Sequence, residues 1–139
     1  MKKRLLIAIP AAVLVLCLMA GFIWWYSPVR FLRGLEADDI LYIEVFCGST
    51  AEHLCIEDPD DIAFILSDLQ SVKAHRVSYE QLDGFGFSLA FYSIAGERVG
   101  GLILNSSHEL REGNMTYRAD SAFQSFSHLE QILGQPDNK

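Results

Sequence analysis

Two cysteines and a histidine lie close together in the sequence, and their side chains could bind a metal or form a covalent bond. Cys47, His53 and Cys55 form the pattern Cys-x5-His-x-Cys, which matches no standard zinc spacing, so we predict no metal site. In an oxidising compartment the two cysteines could form a disulfide, which would contribute about 2.6 kcal/mol in the chain-entropy model. That bond requires Cys47 and Cys55 to lie opposite each other in a hairpin, and the alternative is two free buried thiols.

A cluster of carboxylates directly after these cysteines could be read as a calcium loop. The remainder of such a loop is missing, because no glycine stands at the sixth position counted from Asp58 and the twelfth is Leu69. The start of a helix explains the same residues, with Asp58 as N-cap, Pro59 as the first helical residue and two aspartates in the positive first turn. We therefore predict a capped helix here and no cation site. The cluster comprises Glu57, Asp58, Asp60 and Asp61.

No catalytic motif or cofactor motif emerges from the other polar residues. The segment Gly86–Ala90 resembles a nucleophile elbow, but that motif needs a sharp turn from strand to helix, and Ser88 is predicted to lie in mid-strand. The four histidines are scattered, and none forms a metal-binding pair at helical spacing. We predict no catalytic residue, no cofactor and no metal. The histidines are His53, His75, His108 and His128.

The N-terminus predicts a membrane anchor. Residues 5–26 form a run of 22 residues without a charge, and three cationic residues precede it at positions 2–4. A helix of that length spans about 33 Å, enough to cross a hydrocarbon core of about 30 Å. Its bulky aromatic end suits the membrane interface better than a peptidase site, so an uncleaved signal anchor is favoured over a cleaved signal peptide. The flanking cations place the N-terminus in the cytoplasm and the remainder of the chain outside.

Composition defines the part after the anchor. All 18 acidic residues but only six cationic ones follow Arg33, so this part carries a formal charge of −12. Such a charge repels phosphate backbones, and we predict no nucleic-acid partner. About a hundred residues suffice for one core. The predicted division is a cytoplasmic N-terminus at 1–4, the anchor at 5–26, a juxtamembrane linker at 27–38, an extracytoplasmic domain at 39–134 and a tail at 135–139.

The periodicities after the anchor predict an α+β fold. A strand at 40–46 and a short returning strand at 54–56 flank a turn at 47–50, and an amphipathic helix follows with apolar residues over 62–72. Further strands are predicted at 75–79, 85–92, 99–104, 108–111 and 115–118. A last helix is capped by Asp120 or Ser121. We predict the order β-β-α-β-β-β-β-α, with an antiparallel sheet and two helices packed on one face.

Three features carry a resemblance to a class of known domains. They are the sequence E-D-P-D-D-I at 57–62, the sequence G-F-G-F-S-L at 84–89, and the tyrosine-containing strand before the last helix at Tyr117. In these features the stretch 40–133 resembles small membrane-anchored or lipoprotein extracytoplasmic domains of unknown function from Gram-positive bacteria. That resemblance supplies no active site to transfer.

Two classes of function follow from this reading. The first is a binding or accessory domain that contacts another cell-envelope protein or ligand. We expect its surface on the sheet face opposite the helices, with Ser88, Tyr92 and Tyr117 among its residues, because tyrosine offers both apolar area and a polar tip. The alternative is a small envelope hydrolase whose active site is assembled from distant acidic residues and histidines.

Overall fold

A computed structural model describes residues 2–78 and 86–134. Three predicted features extend beyond this range. The end of one expected strand, at Tyr79, and the start of the next, at Phe85, lie outside it, and so does the whole tail at 135–139. The described residues contain three α-helices, a short 3-10 helix and seven strands. The helices are α1 (Lys2–Tyr26), α2 (Pro59–Ser71) and α3 (Gln124–Gly134), with the 3-10 turn at Ala37–Asp39; the strands are β1 (Ile40–Cys47), β2 (His53–Ile56), β3 (Ala74–Ser78), β4 (Phe87–Ser93), β5 (Arg98–Ser106), β6 (Glu109–Glu112) and β7 (Met115–Ala119).

The strands form one antiparallel sheet, which confirms the α+β class. Its order is β2-β1-β4-β5-β6-β7-β3, so α2 carries the chain from β2 at one edge to β3 at the other. The predicted order has four strands between the two domain helices. The structure has five there, β3 to β7, one for each of the five segments predicted between 75 and 118. The count was wrong because β3 pairs with β7 at the far edge and is a full member of the sheet.

One face of the sheet carries the core. Alternate residues of the central strands, such as Val45, Leu89 and Leu104, are completely buried. The apolar stripe of α2 and the buried Leu129 of α3 belong to the same cluster. The strands therefore present one face to the helices and leave the alternating residues on the other face for solvent or a ligand. The buried stripe of α2 consists of Ile62, Ile65, Leu66 and Leu69.

Local chemistry fixes the start of α2. The Asp58 carboxylate accepts hydrogen bonds from the backbone amides of Asp60 and Asp61, and Pro59 is the first helical residue, as predicted. At the other end the helix stops at Ser71, and the chain turns to β3. The cap and first turn of α2 therefore account for three of the four clustered carboxylates, Asp58, Asp60 and Asp61.

The start of α3 differs from the prediction. It begins at Gln124, three residues after Ser121, because the intervening backbone is held elsewhere: the amide of Phe123 donates to the carbonyl of Ser107 at 2.7 Å. The cap is supplied by a side chain from α2. The Asp68 carboxylate accepts bonds from the Ser125 amide at 2.8 Å and from its hydroxyl at 2.7 Å. The first turn of α3 is thus tied to the last turn of α2.

The segment predicted as a juxtamembrane linker packs onto the domain. Val29 and Ala74 exchange two backbone hydrogen bonds at the edge of β3. Phe31 is 1% exposed, and its ring lies 4.9 Å from that of Tyr117 in an edge-on arrangement. The Gln70 amide donates to two carbonyls of the segment, those of residues 32 and 35. Residues 27–38 are therefore part of the folded unit, because two large apolar side chains near their middle enter the core.

The first helix is long and apolar enough to cross a membrane. Over Ile9–Tyr26 it has a mean hydropathy of 2.0, and its residues there are not buried by the protein. Its end contacts β3: Arg76 Nη1 donates to the carbonyl of Trp24 at 2.6 Å, and the guanidinium lies 4.1 Å from the centre of the Trp24 ring. A domain arginine thus binds the negative end of the helix dipole.

Candidate functional site

The sheet face opposite the helices carries a patch of aromatic and charged side chains where β2, β1 and β4 lie side by side. Tyr42 pairs with Tyr92 and Phe46 pairs with Ser88, so these residues of β1 and β4 project from the same face of the sheet. On β2, His53 pairs with Phe46 and so shares it. We name this group the outer patch. Its members are Tyr42, Glu44, Phe46, His53, Tyr92 and Arg98.

Two stacked tyrosines form one side of the outer patch. The rings of Tyr42 and Tyr92 lie 4.7 Å apart with an interplanar angle of 17°. The Tyr92 hydroxyl donates to the Glu44 carboxylate at 3.3 Å. Desolvation, followed by the nearby negative charge of Glu44, raises the pKa of Tyr92 above its ordinary value. Tyr92 therefore stays a neutral hydrogen-bond donor, and it does not supply a base at neutral pH.

A second ring pair and an arginine complete the patch. The rings of Phe46 and His53 lie 4.6 Å apart. Between the two ring pairs the floor is made of small residues, because Ala90 pairs with Gly101. The guanidinium of Arg98 lies over Gly101, and a side chain at position 101 would displace it. The patch thus combines aromatic surfaces with both a carboxylate and a guanidinium, a mixture typical of binding surfaces.

Two adjoining grooves open on this face. The smaller, of about 210 Å³, lies over Ser88 and Ala90, between Glu44 and Arg98. The larger, of about 600 Å³, runs along β2 and is lined by Tyr42, Glu44, His53, Leu54, Cys55, Glu57 and Tyr92. Both grooves are shallow, and both contain Glu44, His53 and Tyr92 in their walls. A ligand on one groove would therefore touch the residues that line the other.

Two of the three residues expected on this face lie there. Ser88 and Tyr92 are half-exposed and line the smaller groove. Tyr117 does not join them: it is 8% exposed, it pairs with Leu110, and it packs against Phe31 in the core. The expectation failed because Tyr117 is in phase with the buried Met115 and Ala119 of its own strand, so it faces the helices.

The two hairpin cysteines are free and face opposite sides of the sheet. Cys55 pairs with Glu44 on the outer face, whereas Cys47, three residues further along β1, is buried on the core side. A disulfide between them is therefore excluded by the alternation of the strand. Of the two outcomes left open, the free thiols are found, although only Cys47 is buried.

The two thiols differ in acidity. Burial acts to raise the pKa of Cys47, but hydrogen bonds from the side chains and amides of Ser49 and Thr50 outweigh it and lower the pKa to about 7. Burial, followed by the charges of Glu57 and Glu44, raises the pKa of Cys55. The more acidic thiol is thus the buried one, and the exposed thiol of Cys55 has the smaller thiolate fraction at a given pH.

Metal-ligating side chains do not cluster in the part of the chain that the structure describes. Within residues 2–78 and 86–134, no group of three or more His, Cys, Asp and Glu side chains could hold a metal ion. Glu44, His53 and Ser88 line one groove on the outer face.

No protein-family model matches the chain, and no curated protein or solved structure is significantly similar to it.

Proposed function

We propose that this protein is a membrane-anchored extracytoplasmic binding or accessory domain that contacts another cell-envelope protein or ligand through the outer patch. The observation that carries the proposal is the stacked pair Tyr42–Tyr92 beside Glu44 and Arg98, on a sheet face that the helices leave uncovered. Aromatic side chains that are half-exposed and held in place bury apolar area on binding at little cost in conformational entropy.

The N-terminal helix supports the location of this domain. Its 22 uncharged residues follow three cationic ones, and cations are retained on the cytoplasmic side. An acidic domain held at a membrane surface has a high effective concentration toward other membrane components. Even a shallow surface such as the outer patch is then sufficient for a useful interaction.

Protease protection tests the location. Protease added to intact spheroplasts should digest the domain from about residue 39 onward, and the same treatment after lysis should change little. A domain that survives intact until lysis would place it in the cytoplasm. A digested soluble cytoplasmic marker in the same sample would invalidate the preparation, so that marker serves as the internal control.

Site-specific cross-linking tests the surface. A photoreactive amino acid at His53, which is exposed on the outer patch, should give discrete adducts in the protein's own membrane. The matched control is Ser67, which is exposed on α2 on the opposite side of the domain. The double variant Tyr42→Ser, Tyr92→Ser should reduce the His53 adducts and leave the fold intact. Equal adducts at His53 and Ser67, or adducts unchanged in the double variant, would show that the outer patch is the wrong surface.

A further inference from the structure

The two edges of the sheet are treated differently. At the β3 edge, Val29 exchanges two backbone hydrogen bonds with Ala74 and covers the start of the strand. At the other edge stands β2, and within the described residues no segment pairs with its outer side. The strand His53–Ile56 contains neither proline nor lysine, two residues that commonly protect exposed edges. Its outer backbone groups are therefore available to an added strand.

The groove along this edge is negative. Glu44 and Glu57 both line it, no lysine or arginine does, and neither carboxylate forms an ion pair within the described residues. Both carboxylates lie close to the Cys55 thiol, whose pKa is raised by burial first and then by the charges of Glu57 and Glu44. The edge therefore offers backbone hydrogen bonds at the same place as two carboxylates that form no salt bridge within the described residues.

We infer that β2 takes an extended cationic segment of a partner polypeptide as an additional strand, with its basic side chains over Glu44 and Glu57. This inference rests on the proposed binding function and specifies the partner. Backbone pairing with β2 supplies affinity, and alternate side chains supply specificity. Every second residue of the added strand faces the acidic groove, and the residues between them lie beside Leu54 and Ile56. The partner segment thus alternates cationic and apolar residues.

Charge also selects against a second copy of this chain. Edge-to-edge pairing of two β2 strands would bring two Glu44–Glu57 pairs together, in domains that each carry a formal charge of −12. Like charges that face each other across an interface are unfavourable. A basic partner removes that repulsion, which is why the inference names one.

Peptide binding to the full chain in phosphatidylcholine nanodiscs tests this inference, because neutral lipid does not attract a basic peptide. The probe is a six-residue fluorescent peptide that alternates lysine and valine. Three peptides serve as controls. The first alternates glutamate and valine. The second has the composition of the probe, with the lysines in one block and the valines in another, and the third is the probe with N-methyl groups on the backbone along one edge. Anisotropy measures affinity, and hydrogen exchange measures protection of residues 53–56.

The alternating basic peptide should bind best and should slow exchange in β2. N-methylation should abolish that protection, because it removes backbone donors from the added strand. The double variant Glu44→Gln, Glu57→Gln should weaken binding by about threefold to tenfold. The matched control is Glu112→Gln, an exposed carboxylate at the β6–β7 turn, which should leave binding unchanged.

Equal binding of the N-methylated or the acidic peptide, unchanged affinity in the double variant, or a homodimer whose β2 the peptide cannot displace would each overturn the inference. The proposed function fails separately. If no peptide binds while the His53 cross-links persist, the outer patch has a partner of another chemistry. If both the peptide and the cross-links are lost, the binding function itself is wrong.

Discussion

Replacing Phe31 with alanine tests whether residues 27–38 belong to the folded unit. Phe31 is 1% exposed, and its ring meets that of Tyr117 edge-on at 4.9 Å. Truncation of a buried phenylalanine costs about 3–5 kcal/mol, because it removes transferred apolar surface and leaves a cavity. The ring pair is lost as well. A free linker would instead tolerate the change within about 0.5 kcal/mol.

Hydrogen exchange of the β4 amides in the full chain measures this difference without removing α1. Amides in a central strand exchange through the larger opening reactions, so a loss of 3–5 kcal/mol should accelerate exchange by about 100-fold to 5000-fold. Arg33→Ala is the matched control, since Arg33 lies two residues away and is exposed. Acceleration of less than about tenfold by Phe31→Ala would refute the assignment of this segment to the core.

Three further outcomes follow from the same structure. Phe87→Ala should destabilise the domain by about 3–5 kcal/mol in denaturant unfolding, because Phe87 is 4% exposed; a loss below 1 kcal/mol would mean that it does not face the core. Asp68→Ala should cost about 1–3 kcal/mol, since it removes the acceptor for the amide and the buried hydroxyl at the start of α3, and an unchanged unfolding midpoint would contradict that cap. Alkylation of the native protein followed by peptide mapping should modify Cys55, and it should modify Cys47 only after unfolding. Cys55 should react more slowly at pH 8 than a free thiol, because its pKa is raised. A Cys47–Cys55 crosslink would contradict the register of the hairpin.

Features set by neighbouring residues could be predicted from the sequence. The start of α2 depends on Asp58 and Pro59, which act on the first turn beside them, and the structure confirms both. The two-residue period at 87–91 likewise indicated a strand with one buried side, and Phe87, Leu89 and Phe91 are buried. These features need no knowledge of distant partners.

Features set by distant partners could not be predicted in this way. Phe31 and Leu32 are two apolar residues between arginines, and nothing local indicates that they enter a core built by strands far along the chain. The start of α3 depends on Asp68, which lies 57 residues before Ser125. A capping residue from another helix leaves no pattern in the segment that it caps, so the expected start was several residues too early.

The candidate site falls between these two cases. Alternation in β1 separates Tyr42, Glu44 and Phe46 from the buried phase, and that signal was present in the sequence. They form one patch with Tyr92 and Arg98 only because β1 lies beside β4, and these two strands are separated by some forty residues in the sequence. For Tyr117 the local sequence was sufficient and the prediction was still wrong. Its strand alternates apolar residues with polar ones, and Tyr117 shares the apolar positions with Met115 and Ala119, which indicated that it is buried.

The position of the outer patch relative to α1 constrains how a partner could reach it. The end of α1 is held at β3 through Arg76, and β3 and β2 are the two edges of the seven-stranded sheet. Six inter-strand spacings of about 4.8 Å separate these edges by roughly 29 Å. The segment after α1 packs into the core, so it fixes the domain relative to the end of α1. The proposed partner must therefore present its basic segment about a domain's width away from α1, which favours a neighbouring protein over a ligand lying against α1 itself.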